Sequence, residues 1–95
     1  MGAVASPIIY NLTLTNANTE YSQLLRSFSK MFLIQCRSIA DMRLAFVATE
    51  TATNYITIFS GSSYAFEVAD GFVGEKTVYL RSASAGVVAE ILTWA

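Results

Sequence analysis

The chain has 95 residues, 54% of them hydrophobic and only 14% charged, with six basic and seven acidic side chains for a net charge of −1. That length is one domain. It offers no basic block as the footprint of a nucleic-acid binder, and no apolar run near the ~20 residues needed to span a bilayer. Histidine is absent and Cys36 is the single cysteine, so the commonest general base, the usual nucleophile triads and most zinc sites are excluded, along with any intrachain disulfide.

Residues 1–7 are small and featureless and end at the only proline. They read as a flexible arm ahead of a single domain over 8–95. The opening Met1-Gly2-Ala3-Val4-Ala5-Ser6 matches a myristoylation pattern short enough to arise by chance. It lacks the positive start and long apolar region of a signal peptide. Ile8 to Thr15 alternates, with Tyr10, Leu12 and Leu14 on one face and Asn11, Thr13 and Thr15 on the other, which predicts a strand. Asn11-Leu12-Thr13 fits a glycosylation sequon, a coincidence in the absence of a secretory signal. Asn16 to Thr19 is turn chemistry. Glu20 to Leu25 reads as a short strand. Tyr21, Leu24, Leu25 and Phe28 also fit a helical spacing, but the strand-rich surroundings favour β. Arg26 to Ser29 reads as a turn.

Lys30 to Val47 holds two alternating runs. Phe32, Ile34 and Cys36 share one face of the first, and Met42, Leu44 and Phe46 one face of the second. The link around Ser38–Asp41 is short, so the pair reads as an antiparallel hairpin, the central ribbon of the domain. Cys36, on the apolar face, reads as a small core side chain. Further on, Ala48 to Asn54 is a polar loop and Tyr55 to Phe59 a strand dense in β-branched and aromatic residues. Tyr64 to Val68, Lys76 to Ser82 and Val87 to Trp94 are further strands, separated by turn signals at Ser60–Ser63, Ala69–Gly71 and Ser82–Gly86. About eight strands with turns every 8–12 residues predict an all-β fold, a compact antiparallel β-sandwich of jelly-roll type.

Chemistry is sparse. The carboxylates Glu20, Asp41, Glu50, Glu67, Asp70, Glu75 and Glu90 fall on predicted loops and solvent faces, with no pair spaced to share a cleft as a glycosidase needs. Asp70 and Glu75 lack the ligand spacing of a calcium loop. The glycines are scattered at turns rather than gathered into a phosphate loop. No cofactor or metal site is predicted, and the chain reads as non-enzymatic. Tyr21, Tyr55, Tyr64, Tyr79 and Trp94 could form a sugar-stacking platform, the alternative being rings packed in a core or interface. Gln35, Arg37 and Arg43 lie on the polar faces of adjacent predicted strands, where an exposed sheet face or a salt-bridged subunit contact outranks phosphate binding.

The last strand is apolar on both sides: Val87, Ala89 and Ile91 face one way, and Val88, Leu92 and Trp94 the other. Such a strand is buried on both faces, so a loop, the N-terminal arm or another subunit must cover the second face. A charged share of 14%, against a usual share of about 25%, leaves apolar side chains on the surface of a small domain. Exposed apolar area marks contact surfaces. The candidates for subunit contact are Pro7 and Ile8, Arg37 and Arg43, and Val88, Leu92 and Trp94.

The succession NLTLTNANTEYSQLL, KMFLIQCRS-IADMRLAF, YITIFSGSSYAFE and KTVYLRSASAGVVAEILTWA resembles a group of small virion proteins of tailed bacteriophages. The resemblance runs from about Asn11 to the end and rests on segment order and phrases such as FLIQCR, RLAF and AGVVAEILTW. It implies an all-β, non-catalytic decoration or cement protein of the capsid, or a head–tail connector or tail component. It further implies a homo-oligomer in contact with the major capsid protein or other virion proteins, located in the virion after assembly in the host cytoplasm. A carbohydrate-binding module is the alternative from another class.

Overall fold

The alternation seen in the sequence resolves, in a computed structural model that describes residues 7–26, 31–67 and 76–94, into eight strands. These are β1 (Ile8–Leu14), β2 (Tyr21–Leu25), β3 (Met31–Cys36), β4 (Met42–Ala45), β5 (Ile56–Ile58), β6 (Ser63–Glu67), β7 (Lys76–Arg81) and β8 (Val87–Trp94). Residues 1–6 of the expected 1–7 arm, most of the turn over 26–29 and the turn at Ala69–Gly71 lie outside the described residues. The segment open to a helical reading is strand β2.

Two four-stranded antiparallel sheets form, in the orders β1-β8-β3-β6 and β2-β7-β4-β5. The pairings are nested: β4 with β5, β3 with β6, β2 with β7 and β1 with β8. The chain is thus one long ribbon doubled back on itself, with successive pairs laid on alternate sheets. That is the jelly-roll solution to closing a β-sandwich. Side chains at every second position meet between the sheets. Leu14, Leu25, Phe32, Ile34, Met42, Leu44, Ile58, Val78, Leu80, Val87, Ala89 and Ile91 form the buried core. Phe32 stands at one end of it, stacked on Phe66 at 5.5 Å and edge-on to Phe46 at 6.0 Å.

The expected hairpin over Lys30–Val47 does not form. Strands β3 and β4 belong to opposite sheets, and the link between them crosses the sandwich. Arg37 still follows β8, its N–H donating to the Val88 carbonyl at 2.9 Å. The chain then swings over to the other layer. There the Asp41 carboxylate accepts from the Ser60 N–H at 2.7 Å, and the Asp41 carbonyl accepts from the Ser82 hydroxyl at 2.9 Å. The two apolar faces keep the inward orientation expected of them, because Phe32 and Ile34 meet Met42 and Leu44 across the core instead of beside them. The loop over Ala48–Asn54 contains a single 3-10 turn, Glu50–Ala52, with Thr51 fully buried.

Candidate contact faces

Both sheets have an outer face, and the two differ in chemistry. On the first sheet, the register aligns Ile9 with Leu92, Leu92 with Leu33 and Leu33 with Ala65, an apolar row across all four strands. Beside it Trp94 lies opposite Met31. Ile9 is 68% and Trp94 42% exposed. The next row is polar: Asn11, Glu90, Gln35 and Ser63. Here the Glu90 carboxylate accepts from Gln35 Nε2 at 3.0 Å and from Arg37 Nε at 2.9 Å, while Arg37 Nη2 donates to Asn11 Oδ1 at 3.2 Å. The Gln35 hydrogen bond, then that of Arg37, holds the Glu90 carboxyl below its ordinary pKa. An exposed pair of this kind adds little to stability, because water screens it and two long side chains must be ordered to make it. Its greater effect is to cancel the two charges on that side of the apolar row; on the other side Glu67 lies opposite Met31 and is exposed. A shallow hollow of about 280 Å³ runs along the border of the two rows, lined by Ile9, Leu33, Leu92, Gln35 and Glu90.

The outer face of the second sheet is partly roofed. The turn Glu50–Ala52 lies over β4 and β7, and Glu20 holds it there. The Glu20 carboxylate accepts from Thr49 N at 2.8 Å, Thr51 N at 3.3 Å and Thr51 Oγ1 at 2.5 Å. Beside the roof, Arg43 stacks on the Tyr55 ring at 4.3 Å, a cation–π contact.

The expected contact residues therefore separate. Val88, Leu92 and Trp94 share the open outer face of the first sheet, and Arg37 borders it. Ile8 lies opposite Thr93, in the inward-facing register, and is 38% exposed, with exposed Pro7 preceding it. Arg43 is on the other sheet, so Gln35, Arg37 and Arg43 form no common surface; grouping them requires β3 and β4 to be neighbours, which they are not. Ile9, Met31 and Leu33 belong to the open face although the sequence does not single them out, since only the neighbour order of the sheet brings them together. The aromatic candidates divide as well. Tyr21 and Tyr64 pack against the core, Tyr55 lies under Arg43, and Trp94 is on the opposite sheet. Cys36 also packs against the core as a free thiol. Among the described residues, no three of Cys, Asp and Glu are grouped to hold a metal ion.

No protein-family profile and no curated protein matches the chain. Among solved structures it is similar to a de novo designed double-stranded β-helix determined by solution NMR, with a TM-score of 0.54 and 15% identity, over 98% of this chain and 100% of that one. At that identity the likeness shows the fold alone. It agrees with the two nested sheets described above.

Proposed function

We propose that the protein is a non-enzymatic structural subunit of a bacteriophage particle, a decoration or cement protein of the capsid. It would pack against copies of itself and the major capsid protein through the outer face of the β1-β8-β3-β6 sheet. The observation that carries this reading is the row Ile9, Leu92, Leu33 and Ala65, continued by Met31 and Trp94. The flanking charges of Arg37 and Glu90 are already paired, which leaves Glu67, opposite Met31 at the β6 edge, as the one unpaired charge beside the patch among the described residues, so the centre of the face favours an apolar partner. Four strands about 4.8 Å apart and seven residues of about 3.3 Å rise give a face of roughly 450 Å². A stable two-body interface needs about 800 Å² per partner. A single contact on this face is therefore weak, and a lattice of many copies supplies the avidity that one contact lacks.

The test is particle binding alongside folding. Leu92→Glu and Trp94→Ala are expected to reduce occupancy on purified capsids at least tenfold, with thermal midpoints close to that of the parent. Loss of occupancy only in proportion to loss of folded protein would reject this face as the contact. Electron microscopy of the particle then locates the copies.

A further inference from the structure

We propose that the hollow between β4, β5 and β7 on the second sheet binds a carboxylate. This site is on the face opposite the assembly surface and is independent of it.

Arg43 and Arg81 are direct partners across the β4–β7 pair. Side chains so placed have Cβ atoms only about 5 Å apart, and like charges there repel. The usual remedy is an intervening acidic group, and the two carboxylates nearby, Glu20 and Asp41, make their hydrogen bonds elsewhere. The oxygens of Glu20, the carboxylate whose field reaches Arg81, are engaged by Thr49 and Thr51. Asp41 also borders the hollow, but its Oδ1 serves the Ser60 N–H. Arg43 makes one long hydrogen bond, from Nη1 to the Thr51 carbonyl at 3.4 Å. Arg81 Nε is buried with no acceptor. Each guanidinium carries five N–H donors, so the two arginines hold more donors than these hydrogen bonds use.

The two arginines, Asp41, Tyr55 and Thr57 line a hollow of about 230 Å³. That equals several waters at roughly 30 Å³ each, enough for a small acid or an acidic side chain. Tyr55 fixes the Arg43 plane from one side, which leaves the guanidinium less freedom to lose on binding. The fork geometry of two guanidiniums matches the planar carboxylate. The charges choose between anions. Arg43 and Arg81 are offset by Glu20 and Asp41, so affinity comes from directed hydrogen bonds more than from net field. A monoanion disturbs that balance less than a phosphate dianion, which meets the greater repulsion from Asp41.

The experiment is NMR of the arginine Nε–H groups during titration with sodium acetate at fixed pH and constant ionic strength. The Arg43 and Arg81 signals are expected to shift along a curve that saturates in the millimolar range, the affinity of a few charge-assisted contacts. Arg81→Gln should weaken binding at least tenfold, and Arg43→Lys, which keeps the charge but loses the fork, severalfold. Arg37→Gln, on the other sheet, should leave the curve unchanged. Should Arg81→Gln not fold, Arg43→Lys and the parent carry the comparison. Shifts that do not saturate, that chloride reproduces, or that survive both substitutions would overturn the site. Tighter binding of inorganic phosphate than of acetate would overturn the carboxylate assignment. A dilution series without acetate separates the sources. Arginine shifts that follow protein concentration and are displaced by acetate support a carboxylate from a second copy, and acetate binding without that dependence supports a free acid.

Discussion

Glu20 joins two parts of the chain about thirty residues apart, and its chemistry sets a pH dependence. Partial burial pushes its pKa up. The Thr51 hydroxyl, the Thr49 and Thr51 amides and the charge of Arg81 outweigh that, and its carboxyl ends below the ordinary 4.5. A carboxyl depressed in the folded state contributes stability that is fully present above its unfolded pKa. The contribution is lost as pH falls through the folded value. Glu20→Gln should therefore cost about 1–2 kcal/mol at neutral pH, the lower part of the range for hydrogen bonds to a charged acceptor, since water reaches the site. The difference from the parent should shrink steadily at pH values below about 4. Urea midpoints of both proteins across that range check it, and a pH-independent difference would refute the ionised-acceptor role. Nothing in the local sequence announces this contact. Thr51 stands in a stretch of polar residues and is fully buried, and its partner Glu20 comes from the connection between β1 and β2. Phe32 is the opposite case. Its place in an alternating run marks it as core, and it is fully buried among aromatic rings. Phe32→Ala should cost about 3–5 kcal/mol, read from the same urea curves.

At the scale of elements, alternation tells which face of a strand is inward and says nothing about which strand lies beside it. Strand β8 occupies the expected Val87–Trp94 range, and the apolar faces of β3 and β4 point to the core as their sequences require. The hairpin between them is absent because a link of about five residues can either reverse a strand within a sheet or carry it to the facing sheet. The period of two is the same in both cases. Turns are more legible where a backbone angle demands a particular residue. Gly86, in the turn before β8, has φ +72°, and a Cβ added there would meet no atom within 4 Å. Its N–H donates to the Leu14 carbonyl at 2.9 Å, tying the turn to the end of β1. The expected cost of Gly86→Ala is therefore conformational, about 1–2 kcal/mol for an L-residue held in the left-handed region. The denaturant midpoint should fall with an unchanged slope. A neutral result would mean that the turn has a second conformation available.

Over the whole molecule, nested pairing ties architecture to folding. The β4–β5 pair is local, whereas β1 and β8 come from opposite ends of the described chain. Loop closure of that length must precede the pairing that rewards it, so folding is expected on the millisecond-to-second scale of all-β domains. The sandwich class could be read from strand count and turn spacing. The open outer face could not, because it depends on β1, β8, β3 and β6 lying side by side.

The β1–β8 pair has one more consequence, a mechanical one. Ile8 lies opposite Thr93, and the register runs from there to Leu14 opposite Val87. The described ends of the chain thus leave the sandwich side by side. Tension applied between them would open the pair like a zipper, loading its hydrogen bonds a few at a time, because those bonds lie perpendicular to antiparallel strands. A protein built this way yields at low force when pulled by its ends and resists when compressed between its faces. If it braces a pressurised shell, the load must enter through the flat of the sheets and not along the backbone.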